Sequence, residues 1–197
     1  MEPEVPWFET SAGTSERIMG VGSLALAYLR MGDTARALET AARTLETLHT
    51  LKPVAYWLQS GIASIAEVYF TLWEQASALP AAEQEVLAQG AKAARRSLDT
   101  FSQTFPFAQA SAWLYRGSEA WLSGHPDEAR HAWNEALAAA QRFSTPFEEG
   151  QAHFELGRHL AVQDAARRSH LLRARELFSV LGAAGEISRV QRELDRA

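Results

Sequence analysis

The chain has 197 residues, of which 47% are hydrophobic, with a formal net charge of −5 and no cysteine. The lack of cysteine excludes disulfides and cysteine-based zinc sites, and no stretch approaches the roughly 18 consecutive apolar residues of a membrane span. Acidic residues outnumber lysine and arginine 11 to 5 in residues 1–90, whereas residues 91–197 are balanced at 13 to 14. We therefore expect a globular protein that binds neither nucleic acid nor membrane. The acidic N-terminus is not expected to act as a secretory signal, and cytoplasm is the expected location.

The predicted secondary structure is helical throughout. Alanine, leucine, glutamate and arginine dominate, and no stretch alternates as a strand does. Residues 1–13, with two prolines and a glycine, are expected to form a flexible or extended arm. The remainder, 14–197, is predicted to be a single helical-repeat domain. Its helix pairs are expected at about 14–50, 53–105, 108–143 and 146–182, with a capping helix over 186–197.

Capping signals predict where several helices begin. Thr14 or Ser15 is suited to cap the first helix and Asp33 the second. Pro53 suits the first turn of a long helix over about 53–78, and another follows over about 80–102. The series Thr145, Pro146 and Glu148 predicts a capping box and a helix that continues to about Val162. A polar turn then leads to a helix over 167–181.

Three stretches of the chain repeat one pattern, seen best in WLSGHPDEARHAW (121–133). An apolar helix is followed by a tight turn and then by a helix with alanine at a fixed early place. The stretches are 24–45, 113–137, and 153–160 with 171–181. The residues that carry the pattern are Ala25, Tyr28, Gly32, Asp33 and Ala37; Trp113, Gly117, Gly124, Ala129, Trp133 and Ala136; and Gly157, Leu160, Ala174 and Phe178, the last two after an insertion of about five residues.

This pattern resembles the tetratricopeptide repeat (TPR), a family of helix–turn–helix units of roughly 34 residues. The resemblance implies an all-α, right-handed solenoid of antiparallel helix pairs. Ala37 and Ala129 are 92 residues apart, more than two repeats. The middle hairpin is therefore expected to be over-long and degenerate, with helices of about 22–25 residues.

In physical terms the repeat residues have structural roles. Gly117 and Ala129 are predicted to lie where the paired helices cross, since small side chains let backbones approach. Trp113 and Trp133 are predicted to fill the space beside the crossing, and Gly124 to permit the turn.

Residues 97–160 also resemble the helical-repeat tails of large bacterial signalling proteins. In those proteins a nucleotide-cyclase or kinase domain and an AAA-type ATPase domain precede the repeats. The segments that carry this resemblance are FPF, the turn at Gly124, TPFEEGQAHFELGRHL and HLLRARELF. No nucleotide-binding motif such as GxxxxGK[ST] or GxGxxG is present. The resemblance implies a tail of such a protein or a free-standing relative.

No residue pattern in the chain indicates catalysis. Two histidines, His153 and His159, are six residues apart and point to different helix faces, and a metal site would need ligands from separate helices. Glu148 is explained by capping, and Glu149 and Glu155 by solvent-facing helix positions. Ser111, Ser118 and Ser123 lack a nucleophile elbow. The sequence predicts a protein that is not an enzyme and has no cofactor and no metal site.

The resemblance implies instead a binding groove lined by the first helix of each pair. Trp121 with Arg158 is the predicted anchor, an aromatic surface beside a cation that pairs with a carboxylate. For Leu114 and Phe154 the alternative is packing of repeat on repeat. The predicted groove residues are Leu26, Leu29 and Arg30; Leu114, Ser118, Trp121 and Leu122; and Gln151, Phe154 and Arg158.

Three functions are consistent with such a fold. The first is a protein–protein interaction module that binds a peptide or protein segment in the groove, with a scaffold or regulatory role in signalling. The second is a sensor that closes on a small molecule or short peptide. The third is a self-assembly module, in which Trp7 and Phe8 of the arm dock on a second copy and give a homodimer.

Overall fold

The computed structural model describes residues 13–48 and 55–196, and all regular secondary structure within them is helical. The prediction of an all-α protein is confirmed. The α-helices are α1 (Thr14–Arg30), α2 (Thr34–Leu48), α3 (Leu58–Glu74), α4 (Ala81–Thr104), α5 (Gln109–Leu122), α6 (Pro126–Phe143), α7 (Pro146–Arg158), α8 (Ala165–Val180) and α9 (Ala184–Leu194), with short 3-10 helices at Ala76–Ala78 and Pro106–Ala108.

The chain forms two compact units, the first ending at Ala108 and the second beginning at Gln109. A single domain over 14–197 stays a prediction. The predicted arm, with Trp7 and Phe8, and the predicted first-turn residue Pro53 lie outside the described residues, apart from Gly13 at the start of α1.

In the first unit, α1 packs against both α2 and α3, and α3 packs against α4. Two glycines bring α1 and α3 unusually close. A Cβ atom on Gly22 would come to 2.5 Å from the carbonyl oxygen of Gly61, and one on Gly61 would come to 2.8 Å from Cα of Met19. The helices therefore touch through their backbones at this crossing, where only glycine leaves enough room.

In the second unit, α5 packs on α6 and α7 packs on α8, and the first helices of the two pairs also contact each other. The helix α9 packs on α8. Trp133 and Phe178 are fully buried, and so are Ala129 and Ala174. Full burial is what the predicted packing roles of Trp133 and Ala129 require.

Three turns share one hydrogen-bonding pattern that ends a helix on a left-handed glycine. Gly32, Gly124 and Gly182 have φ angles of 82°, 82° and 67°. In each turn the amide after the glycine donates to a carbonyl five residues earlier, as His125 N does to Ala120 O at 2.9 Å. This arrangement is a Schellman-type helix end, which requires a residue that tolerates positive φ. The predicted turn role of Gly124 is confirmed.

Several predicted helix boundaries need correction. The helix expected at 53–78 begins at Leu58 and ends at Glu74, with 17 residues, whereas α4 has 24. Gly13, and not Thr14 or Ser15, is the N-cap of α1. Asp33 does cap α2, because its Oδ1 accepts from Arg36 N at 3.1 Å.

The boundaries of α7 and α8 also differ from the prediction. Thr145 is the N-cap of α7, but its side chain makes no capping hydrogen bond, so the predicted capping box is wrong. The helix α7 ends at Arg158 because Leu160 N donates to Gly157 O in a tighter turn. The next helix begins at Ala165, where Asp164 Oδ1 accepts from Ala166 N at 2.8 Å and supplies a cap.

Candidate functional site

The predicted groove positions of the second unit lie on α5 and α7, the two helices that contact each other. Along α5 the positions recur at the spacing of one helix face, and along α7 they do so as well. Five of them are partly exposed and together are termed here the α5–α7 face. These are Ser118, Trp121, Leu122, Gln151 and Arg158.

The other two predicted positions in this unit are part of the core. Leu114 is 3% exposed and Phe154 is 5% exposed. Phe154 packs in a cluster with Leu171, Phe178 and Val190. Burial of this degree favours the packing alternative for both residues, since neither presents appreciable surface to a ligand.

Trp121 is one member of an aromatic stack that joins α5, α6 and the end of α7. Its ring centroid lies 3.9 Å from that of His159 and 6.0 Å from that of Trp133. The rings of His159 and Trp133 are parallel within 3°, and their centroids are 4.8 Å apart. Trp133 Nε1 donates to Leu114 O at 3.2 Å and so holds the inner ring in place. The stack supports one side of the Trp121 indole while the ring keeps partial exposure.

Arg158 is already engaged within the protein. Its Nε donates to Glu155 Oε2 at 2.9 Å, and its guanidinium lies 5.6 Å from the ring centroid of Phe154. His159 Nε2 lies 3.3 Å from the same carboxylate oxygen. The carboxylate that Arg158 was predicted to bind is therefore supplied internally, by Glu155.

Glu155 is the buried charge around which this network is organised. The predicted solvent-facing position is wrong, because the residue is only 9% exposed. Burial raises the pKa of its carboxyl, but the charges of Arg158, His159 and Arg189 outweigh that effect and hold the pKa at about 2. Glu155 thus stays ionised over the physiological range and holds the guanidinium of Arg158 in place.

In the first unit the predicted positions are Leu26, Leu29 and Arg30 of α1, and both leucines are partly exposed. Arg30 forms an ion pair with Glu67 of α3. Since Glu67 is only 8% exposed, Arg30 compensates a buried charge and links the two helices.

The first unit also contains a cavity of about 120 Å³ lined by Arg17, Ile18, Val21, Arg43, Thr44 and Thr47. Pockets that enclose drug-sized ligands measure roughly 300–1,000 Å³. This cavity is smaller, and its lining is mixed in polarity.

A pair of histidines connects α7 to α8. His153 Nδ1 and His170 Nδ1 are 2.8 Å apart, and both rings are half-buried. Burial and the charge of His170 lower the pKa of His153 to about 4, with Glu149 opposing and Arg173 adding to the decrease. Burial also lowers the pKa of His170, against the charge of Asp164. Both imidazoles are therefore neutral at pH 7.

Within residues 13–48 and 55–196, no group of three or more histidine, aspartate or glutamate side chains is arranged to hold a metal ion. Ser111 is buried, and Ser118 Oγ donates to Leu114 O at 3.3 Å. None of the described helices combines the length and apolarity needed to cross a membrane.

The sequence pattern does not show three relationships that organise these clusters. His170 meets His153 only through the packing of α7 on α8. The sequence pattern also does not show that Glu67 is buried. Glu155 and Arg158 stand three residues apart, a spacing that predicts a helical ion pair, but the spacing does not show that the pair is buried.

Comparison of the chain with protein-family models, with curated proteins and with solved structures found no match.

Proposed function

We propose that this chain is a TPR-like helical-repeat module that binds a peptide or protein segment on the α5–α7 face. The observation that carries the proposal is the direct contact between α5 and α7, with the partly exposed indole of Trp121 among the positions that the repeat pattern assigns to a groove. Aromatic side chains with a fixed ring and partial exposure are frequent anchors of protein interfaces.

The arrangement of helices within each unit supports the repeat assignment. In the second unit, the pairs α5–α6 and α7–α8 are linked mainly by α6 against α7, with a smaller contact between α5 and α7. In the first unit, the pairs α1–α2 and α3–α4 are linked mainly by α1 against α3, with a smaller contact between α2 and α3. Contacts between the first helices of successive pairs are expected when helix–turn–helix units stack. The right-handed solenoid and the stacking of the middle hairpin are parts of this proposal.

In the proposed complex Trp121 is the principal anchor. Stacking on His159 limits the freedom of the ring before binding, which reduces the entropy lost when a partner docks. Arg158 has a supporting role, because its pairing with Glu155 holds the guanidinium at the edge of the face. A partner carboxylate would have to share this cation with Glu155.

The proposed role is non-catalytic, as a scaffold or regulatory element of a signalling protein in the cytoplasm. Its signalling context rests on the resemblance of residues 97–160 to the repeat tails of bacterial signalling proteins. Among the described residues, no observation favours the sensor or the homodimer over this role.

Site-specific photo-crosslinking tests the proposed face directly. A benzophenone amino acid replaces Gln151 on α7, and in a matched protein it replaces Ala138, an exposed position on α6 outside the α5–α7 face. Both proteins are irradiated in lysate of the source organism, and crosslinked products are identified by mass spectrometry. We expect a specific partner from position 151 and none from position 138.

A second pair of variants tests the same surface by obstruction. Ser118→Arg places a long cation on the α5–α7 face, whereas Ala138→Arg places one on α6. Partner capture should fall about tenfold for the first variant and be unchanged for the second, which corresponds to roughly 1.4 kcal/mol. Equal capture by both variants, or equal crosslinking from both positions, would refute the proposal.

A further inference from the structure

We propose that His153 and His170 form a two-imidazole site for a late first-row divalent metal ion, Cu²⁺ above all. The proposal concerns the contact between α7 and α8 and is independent of the proposed binding face. Two nitrogens on different helices lie within 2.8 Å of each other, and neither ring is fully buried. Imidazole nitrogen is a preferred ligand of copper and nickel.

The separation of the nitrogens fits a tetragonal ion. Metal–nitrogen bonds are about 2.0–2.1 Å long. Two such bonds at 90° put their nitrogens about 2.8–3.0 Å apart, whereas a tetrahedral angle would need about 3.3 Å. The observed 2.8 Å matches the right angle of square-planar or tetragonal Cu²⁺ and Ni²⁺. Without metal, the same separation suits one N–H···N hydrogen bond; when the ion binds, the donor ring takes the tautomer with its proton on Nε2, so that both Nδ1 lone pairs are available.

The surroundings of the pair are suited to metal uptake. Both imidazoles are neutral at pH 7, so no proton has to be expelled from an imidazolium. Glu149 is close enough to act electrostatically on His153. The positive charge of Arg173 would repel a metal ion, but Arg173 pairs with Glu149 at 3.3 Å and with Glu176 at 2.7 Å. Its charge is therefore largely offset. Water would complete the coordination sphere.

This proposal departs from the sequence expectation of no metal site. Ligands from separate helices are needed for such a site, and α7 and α8 supply them. With two protein ligands the site is predicted to exchange its metal readily. Because it joins two helices, the ion should stabilise their packing by binding the folded state only.

Titration of the full chain with Cu²⁺, Ni²⁺ and Zn²⁺ by isothermal calorimetry tests the proposal. We expect one Cu²⁺ per chain, bound most tightly, and affinity at least about tenfold weaker in His153→Asn and in His170→Asn. The matched control is His125→Asn together with His131→Asn, which replaces two exposed histidines of the same unit and should leave the affinity unchanged.

Electron paramagnetic resonance of the unaltered protein gives a readout that does not depend on variants. Bound Cu²⁺ should show hyperfine splitting from two imidazole nitrogens. A spectrum without nitrogen coupling would overturn the proposal, and so would equal copper affinity in the native chain and in the double His153→Asn/His170→Asn variant. Zn²⁺ bound as tightly as Cu²⁺ would overturn the tetragonal assignment.

Discussion

Gly117 lies directly against the indole of Trp133, so that a Cβ atom at position 117 would come to 2.9 Å from Trp133 Cε2 and would overlap Nε1. The glycine is on α5 and the tryptophan on α6. Trp133 is fully buried and donates a hydrogen bond to Leu114 O. A missing side chain on one helix thus makes the space that a large ring of the other helix fills.

This relationship predicts that Gly117→Ala is destabilising. The ring of Trp133 has no free space to move into, and the cost of overpacking is about 1–3 kcal/mol. Urea denaturation followed by circular dichroism measures the loss. As a control, Gly185→Ala in α9 adds a Cβ with no atom within 4 Å and should be neutral or stabilise by up to about 1 kcal/mol. Equal effects of the two substitutions would show that the close approach does not matter.

Gly61→Ala should cost more than Gly117→Ala. At Gly61 the added Cβ would meet the backbone of Ile18 and Met19, which cannot rotate away as a side chain can. We expect a loss of more than about 3 kcal/mol, with separation of α1 from α3. Denaturation measures the loss. The control is Gly32→Ala, where φ is +82° and no atom lies within 4 Å, so that only backbone strain of about 1–2 kcal/mol is added. A smaller loss at Gly61 than at Gly32 would contradict the backbone contact.

The lowered pKa of Glu155 predicts that the protein loses stability in acid. Its pKa of about 2 in the folded state lies below the ordinary value of 4.5. The stabilisation is therefore complete above pH 4.5 and is lost as the pH falls towards 2. The loss attributable to this carboxyl is on the order of 3 kcal/mol. Denaturation between pH 2 and pH 7 should show this decrease in the native chain and a flatter dependence in Glu155→Gln.

The matched control for Glu155 is Glu176→Gln. Glu176 also pairs with an arginine, Arg173, but its side chain is 64% exposed. Exposed pairs contribute little, so its pH dependence should match that of the native chain. If Glu155→Gln kept the full acid sensitivity, the network around Glu155 would not be responsible for it.

Arg30 is predicted to contribute to the stability of the fold. Arg30→Gln weakens the compensation of Glu67, a buried carboxylate on α3, and should cost about 1–2 kcal/mol because part of the arginine side chain is solvated. Arg36→Gln removes an exposed partner of Asp33, and its effect on stability should be the smaller of the two. Thermal unfolding compares the two. A larger effect at Arg36 would refute the role assigned to Arg30.

The sequence by itself determined the helical class and the positions of several turns. Gly32 and Gly124 could be recognised because each helix end depends on local backbone geometry, which neighbouring residues specify. The burial of Trp133 and Ala129 was also predictable, since helical spacing puts them on one face. The 17-residue length of α3 and the missing side-chain cap at Thr145 were not predictable, because residue spacing alone fixes neither the last turn of a helix nor the orientation of a side chain.

Only the tertiary structure decided which charged and polar residues meet. Arg30 and Glu67 are 37 residues apart, and His153 and His170 are 17 apart, and no local pattern relates either pair. Packing of one helix on another brought them together and partly shielded them from water. The same packing buried Leu114 and Phe154 while leaving Trp121 partly exposed. Burial depends on what covers a side chain, and that is set by contacts between distant parts of the chain.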